Sequence, residues 1–325
     1  MNILYLVKKQ TYLTKMSRVR FHGIQALSKL PNVNVVYWGI GWEHYDNNIP
    51  VQQNIDSFLK NHSPLPSSQK QSFDVVIVYK PLEMKNFKDV KALKCIRYNE
   101  MYDVKWTQKE ILKSGSQLVI CHHLNDCQYY QQLPIAQKVK FVYIGHCAEK
   151  TIFKNYNLTQ EYDILVAGCT SSHYPLRNRF LKLLPILRQK YRCYQHPHPG
   201  YDLHDAHTDR YLKEMAKSIN RARITLTDTG RPRSRYGKYI EIPMCGTSAI
   251  CGDLPGDKGP QADNYNFVIE VNNSMSDKEI INRISYYLDN EDARLDKVKQ
   301  GLQFSQNYTQ EHYAKRLFQQ LEKTI

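Results

Sequence analysis

What the chain lacks narrows its class before any motif is read. None of its eight cysteines (Cys95, Cys121, Cys127, Cys147, Cys169, Cys193, Cys245 and Cys251) belongs to a CxxC pair, and most lie in apolar runs. That usage excludes a disulfide scaffold and points to reduced, buried thiols in a cytosolic protein. No stretch approaches the roughly 20 apolar residues that a bilayer-spanning helix needs. The apolar opening, residues 1–7, stops at Lys8-Lys9. With no charged segment ahead of it and no small-residue cleavage site, it does not read as a secretory leader. No repeat of fixed short period is present, which removes solenoids and propellers. The expectation is a cytoplasmic protein, soluble or at most peripheral to a membrane.

What is present has an ordinary globular balance, with 42% hydrophobic and 23% charged residues. The 325 residues exceed one typical core and predict two domains. Forty-five Lys and Arg against 31 Asp and Glu give a formal charge of +14. Such an excess fits a solvated basic surface or an anionic partner: a nucleotide sugar, an anionic membrane or nucleic acid. Charge alone does not choose among them.

Apolar runs alternate with helical patterns along the whole chain, as in an α/β protein with parallel sheets. Strands are predicted over residues 2–7, 33–38, 73–79, 94–98, 117–121 and 139–144. Helices are expected over 17–30, with Ser17 as the cap, and over 107–114 and 126–132. Residues 47–71, rich in Asn, Gln, Ser and Pro, read as a long connection or lid. A second series opens at residues 163–168. It continues with a helix at 176–190, a strand at 191–196, a helix at 209–221 and a strand at 223–227. The segments 239–245, 248–251 and 266–271 follow. A helix over 277–289 and one or two more from residue 292 close the chain. Domains of 1–155 and 156–325 are expected, with the last helix packing back on the first.

The most informative stretch runs from Arg231 to Cys251. A basic loop with Arg233, Arg235 and Lys238 leads into a short helix bearing Glu241, then Gly246-Thr247 and an apolar strand. Cations and helix N-terminal amides neutralise a diphosphate. A carboxylate one turn further in can accept hydrogen bonds from a ribose diol. A glycine lets the helix end and the next strand begin. Upstream, the Gly168-Cys-Thr170-Ser-Ser-His173 loop joins a strand to a helix, where amides can hold phosphate.

The run from Lys238 to Ile250 resembles the R/K-x-x-E-x-x-x-x-G-x-x-x-(I/L) donor segment of GT-B glycosyltransferases. It is similar to the CgeB-like, spore-maturation branch of the group-1, family-4-like class. Residues 162–168 followed by Arg177, residues 211–227, and the closing segments through Leu317 resemble that family in the same order. The resemblance covers residues 163–317. It implies two Rossmann-like domains facing across a cleft, acceptor on the first and nucleotide sugar on the second. It also implies donor-binding roles for Gly168, Thr170, Arg177, Arg233, Arg235, Lys238, Glu241, Gly246 and Thr247, with Lys238 on the diphosphate and Glu241 on the ribose. His196, in a loop rich in His and Pro, is placed near the nucleobase. One departure stands out: the E-x7-E motif of family-4 enzymes has its first glutamate where this chain has Arg233, which bears on the transferred sugar.

No Asp-x-Asp triplet occurs, so neither metal nor cofactor is expected and the basic loop stands in for the ion. The histidines of residues 196–207 and the Cys121–Cys127 cluster match no zinc spacing. A base for the acceptor is sought among His22, Glu100, Asp103, His122 and His123, near C-terminal ends of the first sheet's strands. The expected acceptor is a hydroxyl on a glycan, a lipid-linked glycan or a small molecule. Two rivals are a transferase acting on hydroxymethylated DNA bases and a non-catalytic sugar-nucleotide binder.

Overall fold

A computed structural model of the chain describes residues 1–16, 19–62, 72–79, 81–256 and 264–325. The chain forms two compact units. Met1–Gly145 joins with Tyr313–Ile325 in the first, and His146–His312 makes the second. The division falls at Gly145, ahead of residue 155 expected from the sequence. Local pairing explains it: Ala148 bridges Thr309, and Gln310 Nε2 donates to Cys147 O at 2.7 Å. Residues just past 145 are thereby stitched into the second unit.

In the first unit β1 (Asn2–Leu6) is followed by α1 (Lys9–Thr14), α2 (Val19–Leu27), β2 (Asn34–Trp38) and α3 (Val51–His62). Then come β3 (Val75–Val78), β4 (Leu93–Tyr98), α4 (Val104–Ser114), β5 (Leu118–Cys121), α5 (Leu124–Gln131) and β6 (Lys140–Tyr143). The strands form a parallel sheet in the order β2-β1-β3-β4-β5-β6. Its inner strands are buried on both faces, so runs such as Val75–Val78 are continuously apolar. The sheet reverses direction of growth between β1 and β3, and C-terminal strand ends there are where such sheets take ligands.

The sequence reading of residues 47–71 as a connection is corrected: α3 occupies its centre. Val51 and Ile55 are buried and Phe58 and Leu59 pack on the same core, at helical spacing. Ser17, the expected cap of α2, lies outside the described residues.

The second unit holds β7 (Tyr162–Val166), α6 (Pro175–Leu187), β8 (Cys193–Gln195), α7 (Arg210–Asn220), β9 (Ala222–Leu226) and α8 (Lys238–Cys245). β10 (Ala249–Gly252), β11 (Ile269–Glu270), α9 (Asp277–Asp289) and α10 (Glu291–Ser305) follow. Its parallel sheet runs β11-β10-β9-β7-β8. A capping box starts α9, with Ser276 and Glu279 exchanging side-chain and backbone bonds.

The last helix, α11 (Gln310–Glu322), belongs with the first unit from Tyr313 onward. Tyr313 is fully buried there, and its hydroxyl accepts from Arg97 Nε at 2.9 Å and lies 3.0 Å from His122 Nε2. Arg97 also stacks 5.0 Å over the Tyr313 ring. Removing one hydroxyl weakens the hold on a buried cation and a buried imidazole. Tyr313→Phe is expected to lower unfolding stability by about 1–3 kcal/mol, read from urea denaturation. An unchanged midpoint would show that the hydroxyl is not what anchors α11.

Candidate functional site

The C-terminal ends of β7, β8 and β9 and the start of α8 bring three loops of the second unit together. β7 ends in Gly168, whose φ of +108° only glycine adopts without strain. A Cβ there would also come within 2.7 Å of Arg177 Nη1. Arg177, in the first turn of α6, is buried over this loop. Its Nη2 lies 3.1 Å from Asp228 Oδ1 and donates to Thr227 Oγ1 at 3.0 Å, and its Nη1 donates to Cys169 O at 2.5 Å. Its backbone N–H donates to Asp228 Oδ2 at 3.1 Å. Burial pushes the Asp228 carboxyl above its ordinary range, and Arg177 opposes that rise.

The loop that follows β9 is stapled to the first. Arg231 N donates to His173 O at 2.9 Å, Arg231 Nε to Ser172 O at 3.1 Å, and His173 Nε2 lies 2.8 Å from Tyr236 OH. From below, Thr229 N and Oγ1 donate to the Asp253 carboxylate at 2.8 and 2.5 Å. The buried Tyr239 hydroxyl donates to Asp253 O at 2.5 Å. Gly252 permits this crowding, since a Cβ would sit 2.4 Å from Thr227 O.

This frame presents the first turn of α8. Lys238 Nζ and Glu241 Oε2 are 2.5 Å apart, each side chain 18% exposed. Glu241 folds back toward the helix start, its Oε1 3.0 Å from where a Cβ on Gly237 would be. His196, at the end of β8, completes the group. Its Nδ1 lies 3.0 Å from Ser218 Oγ and its ring packs on Tyr211. Its Nε2 has no hydrogen-bond partner among the described residues. Burial, and then the charges of Lys238 and His198, push its pKa down to about 4. His196 is therefore a neutral imidazole at physiological pH, beside one cation and one carboxylate.

The structure gathers Gly168, Thr170, His196, Lys238 and Glu241 at one sheet edge and gives other expected residues different tasks. Arg177 is a buried strut. Arg235 is 1% exposed with its guanidinium carbon 4.0 Å over the Tyr308 ring, so it supports the loop from beneath. Arg233 is exposed on the loop, in a left-handed conformation. Gly246 and Thr247 lie at the far end of α8, about 12 Å away at 1.5 Å per residue. Gly246 closes the helix in the left-handed region, and Thr247 O accepts from Gln160 Nε2 at 3.0 Å on the N-terminal side of the sheet. They shape the helix end and do not reach the edge that carries Lys238.

In the first unit the expected bases are likewise redistributed. Asp103 caps α4, accepting from Trp106 N at 3.0 Å. His22 is enclosed in α2, His122 is held against Tyr313, and His123 is buried. Glu100 remains half-exposed at the strand edge. Near it stands a further carboxylate that the sequence reading did not single out. Asp126, in the first turn of α5, accepts from Met101 N at 3.0 Å, and burial lifts its carboxyl to about 6. Nothing in its sequence context marks that burial.

Compared with solved structures, 99% of the chain aligns with 98% of a sucrose-phosphate synthase from Thermosynechococcus elongatus, with a TM-score of 0.61 and 12% identity. An alpha-glucosyltransferase in complex with UDP-glucose and DNA containing an abasic site gives 0.62 at 8% identity, over 99% of both chains. A glycosyltransferase from Rickettsia africae gives 0.61 at 13% identity, over 99% of this chain and 98% of that one. The fold is GT-B. No protein-family model matches the sequence, and no curated relative does. Among the described residues, no helix is long and apolar enough to cross a membrane, and no three of His, Cys, Asp or Glu stand together as metal ligands.

The neutral state of His196 has a consequence for stability. The folded pKa of about 4 lies below the ordinary value of 6.5. The unfolded chain therefore takes up a proton first as pH falls. Stability is full above about pH 6.5 and is lost toward pH 4, by about 3 kcal/mol at most. Thermal melts at neutral pH and near pH 4.5 should show a larger drop in the parent protein than in His196→Gln. Equal drops would contradict the buried neutral imidazole.

Proposed function

We propose that this protein is a glycosyltransferase of the CgeB-like kind, taking a sugar from a nucleoside diphosphate and passing it to a hydroxyl. The observation that carries the reading is the Lys238–Glu241 pair in the first turn of α8, beside the loop after β7. Lys238 and the amides around the helix start are suited to the diphosphate, and Glu241 to the ribose hydroxyls. His196 Nε2 offers a neutral polar contact to the base. UDP-sugars are the first donors to test, since the alpha-glucosyltransferase of the same fold is seen with UDP-glucose.

We assign the donor to the second unit and the acceptor to the first. Transfer is proposed to be metal-independent, because the leaving diphosphate gains charge that Lys238 and oriented amides can meet. The missing Asp-x-Asp supports this. The acceptor proposed is a glycan, lipid-linked glycan or small hydroxyl compound. Asp126 is the base we assign for acceptor deprotonation.

Calorimetric titration with UDP and UDP-glucose tests the donor site. Glu241→Ala removes a charge-assisted bond of roughly 1.5–3 kcal/mol and should weaken UDP by about 10- to 150-fold. The loss should extend to uridine, which keeps the ribose. Lys238→Ala should weaken UDP, spare uridine and lower turnover. Unchanged affinity in both variants would remove the donor site from α8.

The pH profile tests Asp126 separately. A base must be ionised, so kcat/KM should rise about tenfold per pH unit up to about 6 and level off above it. Asp126→Asn should flatten that limb and leave UDP affinity unchanged. A profile that keeps its inflection in the variant would assign the base elsewhere.

A further inference from the structure

The outward face of α4 in the first unit is not explained by donor or acceptor binding. Trp106 is 50% exposed and Leu112 is 55% exposed, and the helix is preceded by Tyr102 at 70%. One such side chain alone would need no explanation, but two that share a helix face with a row of cations form an amphipathic patch. The same face carries Lys105, Lys109 and Lys113, all exposed and spaced four apart so that they line up along the axis. Trp106 and Leu112 each stand three positions from Lys109, and Lys109 Nζ lies 5.6 Å over the Trp106 ring.

Among the exposed positions of α4 itself no acid offsets these cations; Glu100 and Asp103 lie beside Tyr102, ahead of the helix. Glu110, the one acidic residue within α4, is buried and bonded to the Tyr98 hydroxyl on the core side. Asp103 stands at the N-terminus with its carboxylate committed to the cap. At the opposite end Lys88 adds a further exposed cation, its Cβ 3.6 Å from where Gly115 would carry one. The exposed charge within α4 is therefore all positive, and the acids stand at its flanks: Glu100 and Asp103 ahead of the helix, and the exposed Asp89 next to Lys88 at the other end.

We infer that this face of α4 is a docking surface for an anionic lipid bilayer. The opposite charge supplies attraction at a distance, and the aromatic and aliphatic groups supply insertion at the headgroup level. Tryptophan and tyrosine favour that interface because one end of each is apolar and the other polar. Leu112 decides against nucleic acid as the occupant. A leucine has no stacking face and no hydrogen bond to offer a base or phosphate, whereas its burial in acyl chains is favourable. The helix lies in the bilayer surface under this arrangement and does not cross it.

Trp106 provides its own reporter, since Trp38 is buried and Trp42 half-buried. The full chain is mixed with phosphatidylcholine vesicles that contain about one-third phosphatidylglycerol, a typical anionic surface. Co-sedimentation is expected, with a blue shift in tryptophan emission that Trp106→Phe removes while binding persists. Pure phosphatidylcholine vesicles should bind far less, and salt should reverse the binding. Replacing Lys105, Lys109 and Lys113 by Gln should weaken vesicle binding by about 100-fold. Leu112→Ser should weaken it without changing the salt dependence. These positions are exposed, so the melting temperature should hold, and UDP affinity should be unaffected. Binding indifferent to lipid charge, or unaltered in the triple variant, would overturn the proposal. So would quenching of Trp106 by a DNA duplex with no response to vesicles, which would give the face to nucleic acid.

Discussion

Arg177 and Asp228 meet in the second unit with side chains only 3% and 1% exposed, and the loops at the C-terminal edge of the second sheet are arranged around that contact. Two charges removed from water gain little net stability over apolar residues of similar size, yet losing either one leaves the other stranded at a cost of about 3–5 kcal/mol. The pair is better understood through what it fixes. Asp228 follows β9, and Arg177 opens α6 and reaches back over the end of β7 to Cys169 O and Thr227 Oγ1. One guanidinium thereby sets the spacing of two loops that approach each other from neighbouring strands. Gly168 is the counterpart of the same arrangement, since any side chain there would occupy the space that Arg177 fills.

Support from beneath follows the same logic. Asp253 receives two bonds from Thr229, and Tyr239 bonds the Asp253 carbonyl, so the loop after β9 rests on the end of β10 and on α8. Arg235 closes the underside by stacking on Tyr308. Most of the cations in this loop are therefore spent on holding shape. Lys238, on the helix start, is the one poised beside a carboxylate and a neutral imidazole. A second cation of equal freedom next to it would raise affinity for any polyanion without selecting one, whereas a single cation with Glu241 beside it discriminates between a phosphate and a ribose.

Much of the fold was readable from the order of residues. The strand cores are continuous apolar runs, and Ser276-x-x-Glu279 marks the start of α9 as a capping box does. The helix α3 was hidden because Gln, Asn, Asp and Lys surround its apolar positions, and composition over a long window masks the spacing of Val51, Ile55 and Leu59. In the candidate site, the juxtaposition of Lys238 and Glu241 was legible because a local motif sets both their spacing and their place on the helix. The burial of Arg177 and Arg235 was not legible for a physical reason: sequence gives residue type, but only the fold shows that one cation meets a carboxylate and the other an aromatic ring. The distance of Thr247 from Lys238 was not legible because a motif read as a line hides the length of the helix it spans. The raised proton affinity of Asp126 was not legible because it comes from burial in the first unit.

Under the proposed function, the Lys238–Glu241 contact also sets how much a donor can gain. In the structure the two groups satisfy each other at 2.5 Å, each partly shielded from water. A diphosphate that takes Lys238 must replace an existing ion pair, so the net gain is the difference between two charge-assisted contacts. The ribose must likewise be engaged at the moment Glu241 loses its partner, or a half-buried carboxylate is left uncompensated. Ligands that supply only one of the two groups exchange one contact for another and gain little. A nucleoside diphosphate supplies both, so the site as proposed favours ligands in which phosphate and ribose are joined at the right separation. A similar argument extends to turnover. In the proposed transfer, charge accumulates on the diphosphate as the glycosidic bond breaks, which strengthens its hold on Lys238 relative to Glu241 when stabilisation is needed most.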